Sequence, residues 1–157
     1  MARKQIVLAT DPGVNGATVI LWDDGRTQSW SWGGEAEFIS LCDMLGESLV
    51  DGYSIEWFVE QCPKTTGRGR PESTGFVLGE NFGFVKGAIM ASGIRMTLVP
   101  PKKWQAHFTG LTGKEYKVRK QMCWEEAKRL YPSPCKVTKK NSDAYLILEY
   151  AKTITIH

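Results

Sequence analysis

Residues 5–32 read QIVLATDPGVNGATVILWDDGRTQSWSW, and three strands can be read from them. Gln5–Ala9 is a β-rich apolar run that enters the turn formers Asp11-Pro12-Gly13. Ala17–Trp22 is a second apolar run, and Asp23-Asp24-Gly25 behind it is a hairpin signal, because Asp and Gly accept the backbone angles of a tight reversal. From Thr27 to Trp32 the side chains alternate, with Trp30 and Trp32 on one face and Ser29 and Ser31 on the other. An antiparallel three-strand meander therefore opens the chain.

Strands and helices alternate after it. Apolar residues at 38, 41, 42, 45 and 49 predict an amphipathic helix from Glu35 to about Val50. Glu56–Glu60 is a fourth strand ending at Gln61-Cys62-Pro63, and the basic, Gly- and Thr-rich stretch 64–73 (KTTGRGRPES) reads as a mobile loop. A helix capped by Ser73 or Thr74 runs to about Ser92. Its glycines at 75, 79, 83 and 87 form one stripe. Each costs a helix roughly 1 kcal/mol relative to Ala. The stripe therefore implies close backbone approach to the sheet, a partner helix or a nucleic-acid backbone, with packing favoured over direct DNA contact. Arg95–Val99 is a fifth strand ending at Pro100-Pro101, Lys102–Phe108 starts a short helix or turn, and Glu115–Leu130 is a basic amphipathic helix stopped near Tyr131-Pro132. A last helix spans about Ser142 to Lys152. The expected architecture is one α/β domain over residues 1–157, a mixed five-stranded sheet with helices on both faces.

The composition, 42% hydrophobic and 24% charged, is that of an ordinary globular domain. No stretch approaches the ~18 apolar residues of a membrane span, and MARKQIVLAT meets Asp11-Pro12-Gly13 too early for a secretory core, so a cytoplasmic protein with no membrane partner is expected. Cysteines 42, 62, 123 and 135 lack C-x₂-C spacing, and neither His107 nor His157 stands at zinc-finger distance from them, so they read as reduced packing thiols. Charge is unevenly placed. Residues 1–60 carry three Lys/Arg against ten Asp/Glu, a net of −7, whereas 61–140 carry sixteen against five, a net of +11. A basic middle beside acidic strands suits an enzyme on a polyanion, with cations for the backbone and carboxylates for a metal.

Asp11 and Glu60 leave the ends of the first and fourth strands, and Asp143 opens the last helix. If the two strands are parallel neighbours, their carboxylates converge on one sheet edge. Three converging carboxylates make a hard-oxygen site for Mg²⁺, with Mn²⁺ able to substitute, and such a site can hold two ions ~3.5–4 Å apart for phosphodiester hydrolysis. Each residue also has a plainer reading. Asp11 before Pro-Gly is a turn former, and Asp143 satisfies a helix dipole. Glu60, ending the apolar Trp57-Phe58-Val59, is a charge that needs a partner.

Ala9-Thr10-Asp11-Pro12-Gly13 resembles the first-strand motif of RuvC-type Holliday-junction resolvases, in particular their phage-encoded branch. Five further segments match in order: Phe58–Gln61 resembles the second acidic motif, Gly79–Gly87 the glycine-striped helix, and Val99–Gln105 the strand and turn before the short helix. Lys117–Pro132 resembles the basic helix, and Ser142–Ile147 the final acidic motif. The resemblance implies an RNase H-like fold, a Mg²⁺-dependent endonuclease, a homodimer without a small-molecule cofactor, and a four-way DNA junction or related branch as substrate. It gives Asp11, Glu60 and Asp143 metal-ligand roles, and it gives one lysine of the basic helix a phosphate-contacting catalytic role. Lys117 is the first choice and Lys120 the second, because spacing leaves the register open.

One departure stands out. The family's further acid, three or four positions before the last-helix Asp, is here Lys140 or Lys139, so Asn141 is the candidate for a neutral metal oxygen. Lys64, Arg68, Arg70, Lys102, Lys103, Lys114, Lys117, Arg119 and Lys120 form the expected DNA-binding track, although such runs are often only a solvated helix face. Phe76 and Trp104 are either stacking wedges or core. The competing functions are a junction binder without catalysis, a nuclease for flaps or other branched DNA, and an actin-like phosphotransferase, for which 157 residues are too few.

Overall fold

A computed structural model describes residues 4–63 and 72–155. Its strands are β1 (Gln5–Asp11), β2 (Ala17–Leu21), β3 (Thr27–Ser31), β4 (Ser54–Glu60) and β5 (Arg95–Val99). Its helices are α1 (Glu35–Val50), α2 (Glu72–Ala91), α3 (Pro101–His107), α4 (Tyr116–Leu130) and α5 (Ser142–Thr155). The sheet order is β3-β2-β1-β4-β5, with β1, β2 and β3 antiparallel and β1, β4 and β5 parallel. The expected mixed α/β sheet is what the chain forms.

Two registers position everything that follows. Thr10 pairs with Val59 across β1 and β4, so Asp11 and Glu60 are the next residues along adjacent parallel strands. Leu8, Ile20, Trp57 and Val59 bury themselves on one face against α1 and α2, while Val7, Ala9, Val19, Phe58 and Val99 bury themselves on the other against α3, α4 and α5. Period two then puts Asp11, two after Ala9, and Glu60, two after Phe58, on the α5 side. The strand reading stopped two residues short at Ala9, because Asp11-Pro12 looks like a turn. Pairing with Ala17 of β2 keeps Asp11 in the ladder.

Beyond Asp11 the chain reverses so tightly that a Cβ at Gly16 would run into the Asp11 carbonyl oxygen, so only glycine fits. Behind the site Thr10 and Thr18 share a 2.7 Å hydrogen bond and Trp57 Nε1 donates to Thr10 Oγ1 at 2.8 Å, which satisfies the buried polar groups beneath the β1 end.

The glycine stripe does not pack on the sheet. Val85 and Ile89 supply the buried side of α2, whereas Gly79, Gly83 and Gly87 are exposed, and a Cβ at any of them meets nothing within 4 Å. Phe76, also exposed, and Met90 lie at the two ends of the same stripe. Phe76 is therefore not core. Among the described residues no helix is long and apolar enough to cross a membrane, and all four cysteines are free thiols.

Candidate active site

Asp11, Glu60 and Asp143 line one open cavity of about 670 Å³. Its wall also includes Gln105, Tyr116, Arg119, Lys120, Lys139 and Lys140. Each carboxylate is held by a different neighbour. The Gly13 N–H donates to Asp11 Oδ1 at 3.2 Å, the buried indole of Trp104 donates to Glu60 Oε1 at 2.9 Å, and the Lys120 ammonium donates to Asp143 Oδ2 at 2.7 Å. Ser142 Oγ adds a longer contact, 3.4 Å, to Asp143 Oδ1.

Electrostatics mark the cluster as strained by its own charge. Burial first, and then the Asp143 carboxylate, push the Asp11 carboxyl up to about 6, against the pull of Lys120 and the Gly13 N–H. Burial and then Asp11 push Glu60 up to about 8, although the Trp104 hydrogen bond resists. For Lys120 burial works against the charge, yet Asp143 and then Asp11 hold its ammonium above the ordinary lysine value. Perturbed titrating groups converging on one cleft are a functional signature.

Oxygen ligands that repel one another are what a hard divalent cation relieves, so the donor set fits Mg²⁺ or Mn²⁺ chemically. The geometry is not a finished cage. Among the described residues no group of three or more His, Cys, Asp or Glu side chains is assembled to hold a metal ion. Asp143 is instead drawn onto Lys120.

The helices around this cavity, the strand order and the position of α5 on the sheet together make a distinctive arrangement, and it has counterparts among solved structures. Thermus thermophilus RuvC in complex with Holliday junction substrate matches with a TM-score of 0.60 at 14% identity, over 96% of this chain and 97% of that chain. The fold is that of RuvC. A second Thermus thermophilus RuvC structure matches with a TM-score of 0.53 over the same shares of both chains, also at 14% identity. A weaker likeness, TM-score 0.46 at 12% identity over 90% of this chain and 75% of that chain, is to the yeast mitochondrial Holliday junction resolvase Ydc2. No protein-family model and no curated protein sequence matches the chain.

On this RuvC fold two of the expected site residues lie outside the cavity. Lys117, the first choice for the catalytic lysine, is exposed and does not line the cavity, whereas Lys120 reaches Asp143. The helix explains why: Lys120 lies three residues before buried Cys123 and seven before buried Ala127, so it shares their inward face, and Lys117 does not. That signal was present in the sequence. Asn141 does not line the cavity either. Its Oδ1 accepts from the Thr138 N–H at 2.7 Å, and its Nδ2 donates to the Lys136 carbonyl at 2.9 Å and to Ser29 Oγ at 3.3 Å, which ties the loop before α5 to β3.

The basic track is only partly a feature of the cavity. Arg119 and Lys120 line it, while Lys102, Lys103 and Lys114 are exposed outside it, and Lys64, Arg68 and Arg70 lie outside the described residues. One partner of the carboxylates escaped the sequence reading in this role, and two lysines noted there as replacing an acid line the cavity. Trp104 is fully buried and bonded to Glu60, while Lys139 and Lys140 are exposed residues of the cavity wall, the Lys139 ammonium lying 5.2 Å from the Trp124 ring centroid.

Proposed function

We propose that the chain is a structure-specific endodeoxyribonuclease that resolves four-way DNA junctions and related branches by Mg²⁺-dependent phosphodiester hydrolysis, with Mn²⁺ able to replace Mg²⁺. The observation that carries this reading is the convergence of Asp11, Glu60 and Asp143 with Lys120 in one cavity walled by Arg119, Lys139 and Lys140. Its support from outside the site is the RuvC fold, one solved example of which holds a Holliday junction.

The residues divide the work by chemistry. The oxygen ligands come from the cluster of Asp11, Glu60 and Asp143. A divalent cation there would polarise the phosphoryl oxygen and lower the pKa of an attacking water. Lys120 has three N–H donors and spends one on Asp143, so two remain for the scissile phosphate. Arg119, Lys139 and Lys140 would hold neighbouring phosphates, with exposed Lys102, Lys103 and Lys114 extending the contact along the arms. Water adds to phosphorus as the bond to the 3′-oxygen breaks, leaving a 5′-phosphate and a 3′-hydroxyl.

The working unit in this reading is a homodimer, since a near-twofold junction needs two matched cuts. The exposed stripe of α2, with glycines that leave room for a second backbone, favours that helix as the contact. The phage-encoded branch and the cytoplasm of a bacterial host are the setting the sequence motifs favour.

A second reading is favoured by Lys139 and Lys140 in the cavity wall: a protein that binds branched DNA without cutting it. One experiment separates the two. Labelled four-way junction, flap and linear duplex are incubated with Mg²⁺, Mn²⁺ or EDTA, beside Asp11→Asn. Paired metal-dependent nicks in the junction, lost in Asp11→Asn, support the resolvase. Preferential flap cutting moves the specificity, and tight junction binding with no nick under either metal leaves only the binder.

A further inference from the structure

The Lys120–Asp143 pair is sheltered, with 20% of the lysine side chain and 9% of the aspartate side chain exposed. Asp143 thus already carries a full positive charge supplied by α4. Asp11 and Glu60 do not: among the described residues neither forms a salt bridge, and their hydrogen bonds come from the neutral Gly13 N–H and Trp104 indole. The three carboxylates are therefore two of a kind and one apart.

The charge balance of the wall points the same way. The wall holds Asp11, Glu60 and Asp143 together with Arg119, Lys120, Lys139 and Lys140, three negative groups and four positive ones. One divalent cation between Asp11 and Glu60 adds charge where it is uncompensated. A second, placed on Asp143, would either sit within a few ångström of the Lys120 ammonium, where like charges repel strongly out of bulk water, or have to evict it from its 2.7 Å bond. Such eviction would leave a half-buried ammonium without its partner.

We propose that the cavity takes a single divalent cation, held by Asp11 and Glu60, and that the Lys120 ammonium on Asp143 takes the place of a second. The proposal rests on the reading of this site as a metal-dependent nuclease and specifies how its positive charge is divided. Lys120 then balances charge on the reacting phosphate through its remaining N–H donors, and Asp143 orients that lysine rather than a metal.

The test is Mn²⁺ titrated into the full chain, with bound ions counted by calorimetry and by the electron-spin signal of free Mn²⁺, and junction cleavage measured in parallel. Wild type is expected to bind one Mn²⁺ per chain. Asp143→Asn should still bind one, within about threefold of the wild-type affinity. Asp11→Asn and Glu60→Gln should each lose more than about tenfold, a loss that even a ligand's hydrogen-bonding partner can produce. Lys120→Met, which frees Asp143, should gain a second Mn²⁺. Two ions per wild-type chain, no binding at all, or loss of binding in folded Asp143→Asn overturns the proposal. One ion bound with no cutting of any branched DNA leaves the stoichiometry standing and sinks the nuclease reading instead.

Discussion

The indole Nε1 of Trp104 donates a 2.9 Å hydrogen bond to Glu60 Oε1, from a side chain with no exposed surface. Trp104 sits in α3, which starts at Pro101 straight after β5, and packs edge-on to Phe108 with ring centroids 6.5 Å apart. Glu60 is thereby aimed by a residue that is itself locked in the core. Trp104→Phe should lose about 1–3 kcal/mol of stability from the missing hydrogen bond and volume, and still fold. Its half-saturating Mg²⁺ for junction cleavage should rise about tenfold. Phe108→Leu disturbs the same core without touching Glu60 and serves as the control; an equal rise there would make the Trp104 effect mere packing.

Stability should fall as pH rises in metal-free buffer. Glu60 and Asp11 titrate near 8 and 6 when folded, against ordinary values of 4.5 and 3.8, so the folded chain binds these protons more tightly than the unfolded one. Their contribution is fully present below about pH 4 and is lost as pH climbs through 4 to 8. Glu60→Gln keeps an acceptor for Trp104 and removes the charge. It should match wild type near pH 4 and exceed it by roughly 2 kcal/mol at pH 8, several degrees of melting temperature. Melting curves at both pH values decide it, and a variant no more stable than wild type at pH 8 contradicts the burial of this charge.

The two lysines of α4 should part company. Lys120→Met is expected to cut the single-turnover cleavage rate by about 10²–10³ while junction affinity changes little, the pattern of a group that acts on developing charge. Lys117→Ala, at an exposed position outside the cavity, should leave the rate near wild type and weaken binding slightly, with a smaller salt dependence. The reverse pattern would restore Lys117 as the catalytic residue.

Gly83→Leu tests the dimer without threatening the fold. A Cβ there meets nothing within 4 Å, so the larger side chain fits the monomer, and replacing a helical glycine should add about 0.5–1 kcal/mol of helix stability. Sedimentation should show a more stable chain that no longer dimerises at concentrations where wild type does. A variant that stays fully dimeric moves the interface away from α2.

How much of this was legible beforehand depends on whether a feature is local. The meander, the helix over Glu35–Val50 and the strand at Arg95–Val99 follow from periodicity and turn chemistry; the helix and the fifth strand appear at those bounds, and the three meander strands within two residues of theirs. Asp11, Glu60 and Asp143 were legible as candidates because each ends or opens an element, and a parallel register could be expected to bring two of them together. The ends were less certain. Asp11 belongs to β1 only because β2 pairs with it, which no property of Asp-Pro-Gly announces.

By itself, then, the sequence determined the order and type of the elements, the uneven charge and the three carboxylates, because these rest on spacing along the chain. Only the tertiary structure decided which atoms meet. It brought the Lys120 ammonium onto Asp143, gave Asn141 to the loop, joined Trp104 to Glu60, and turned the glycine stripe outward. The physical reason is that a contact between residues far apart in sequence depends on which helix face the core claims. That is settled by the burial of Cys123, Ala127, Val85 and Ile89 acting together, not by any one residue's own preference.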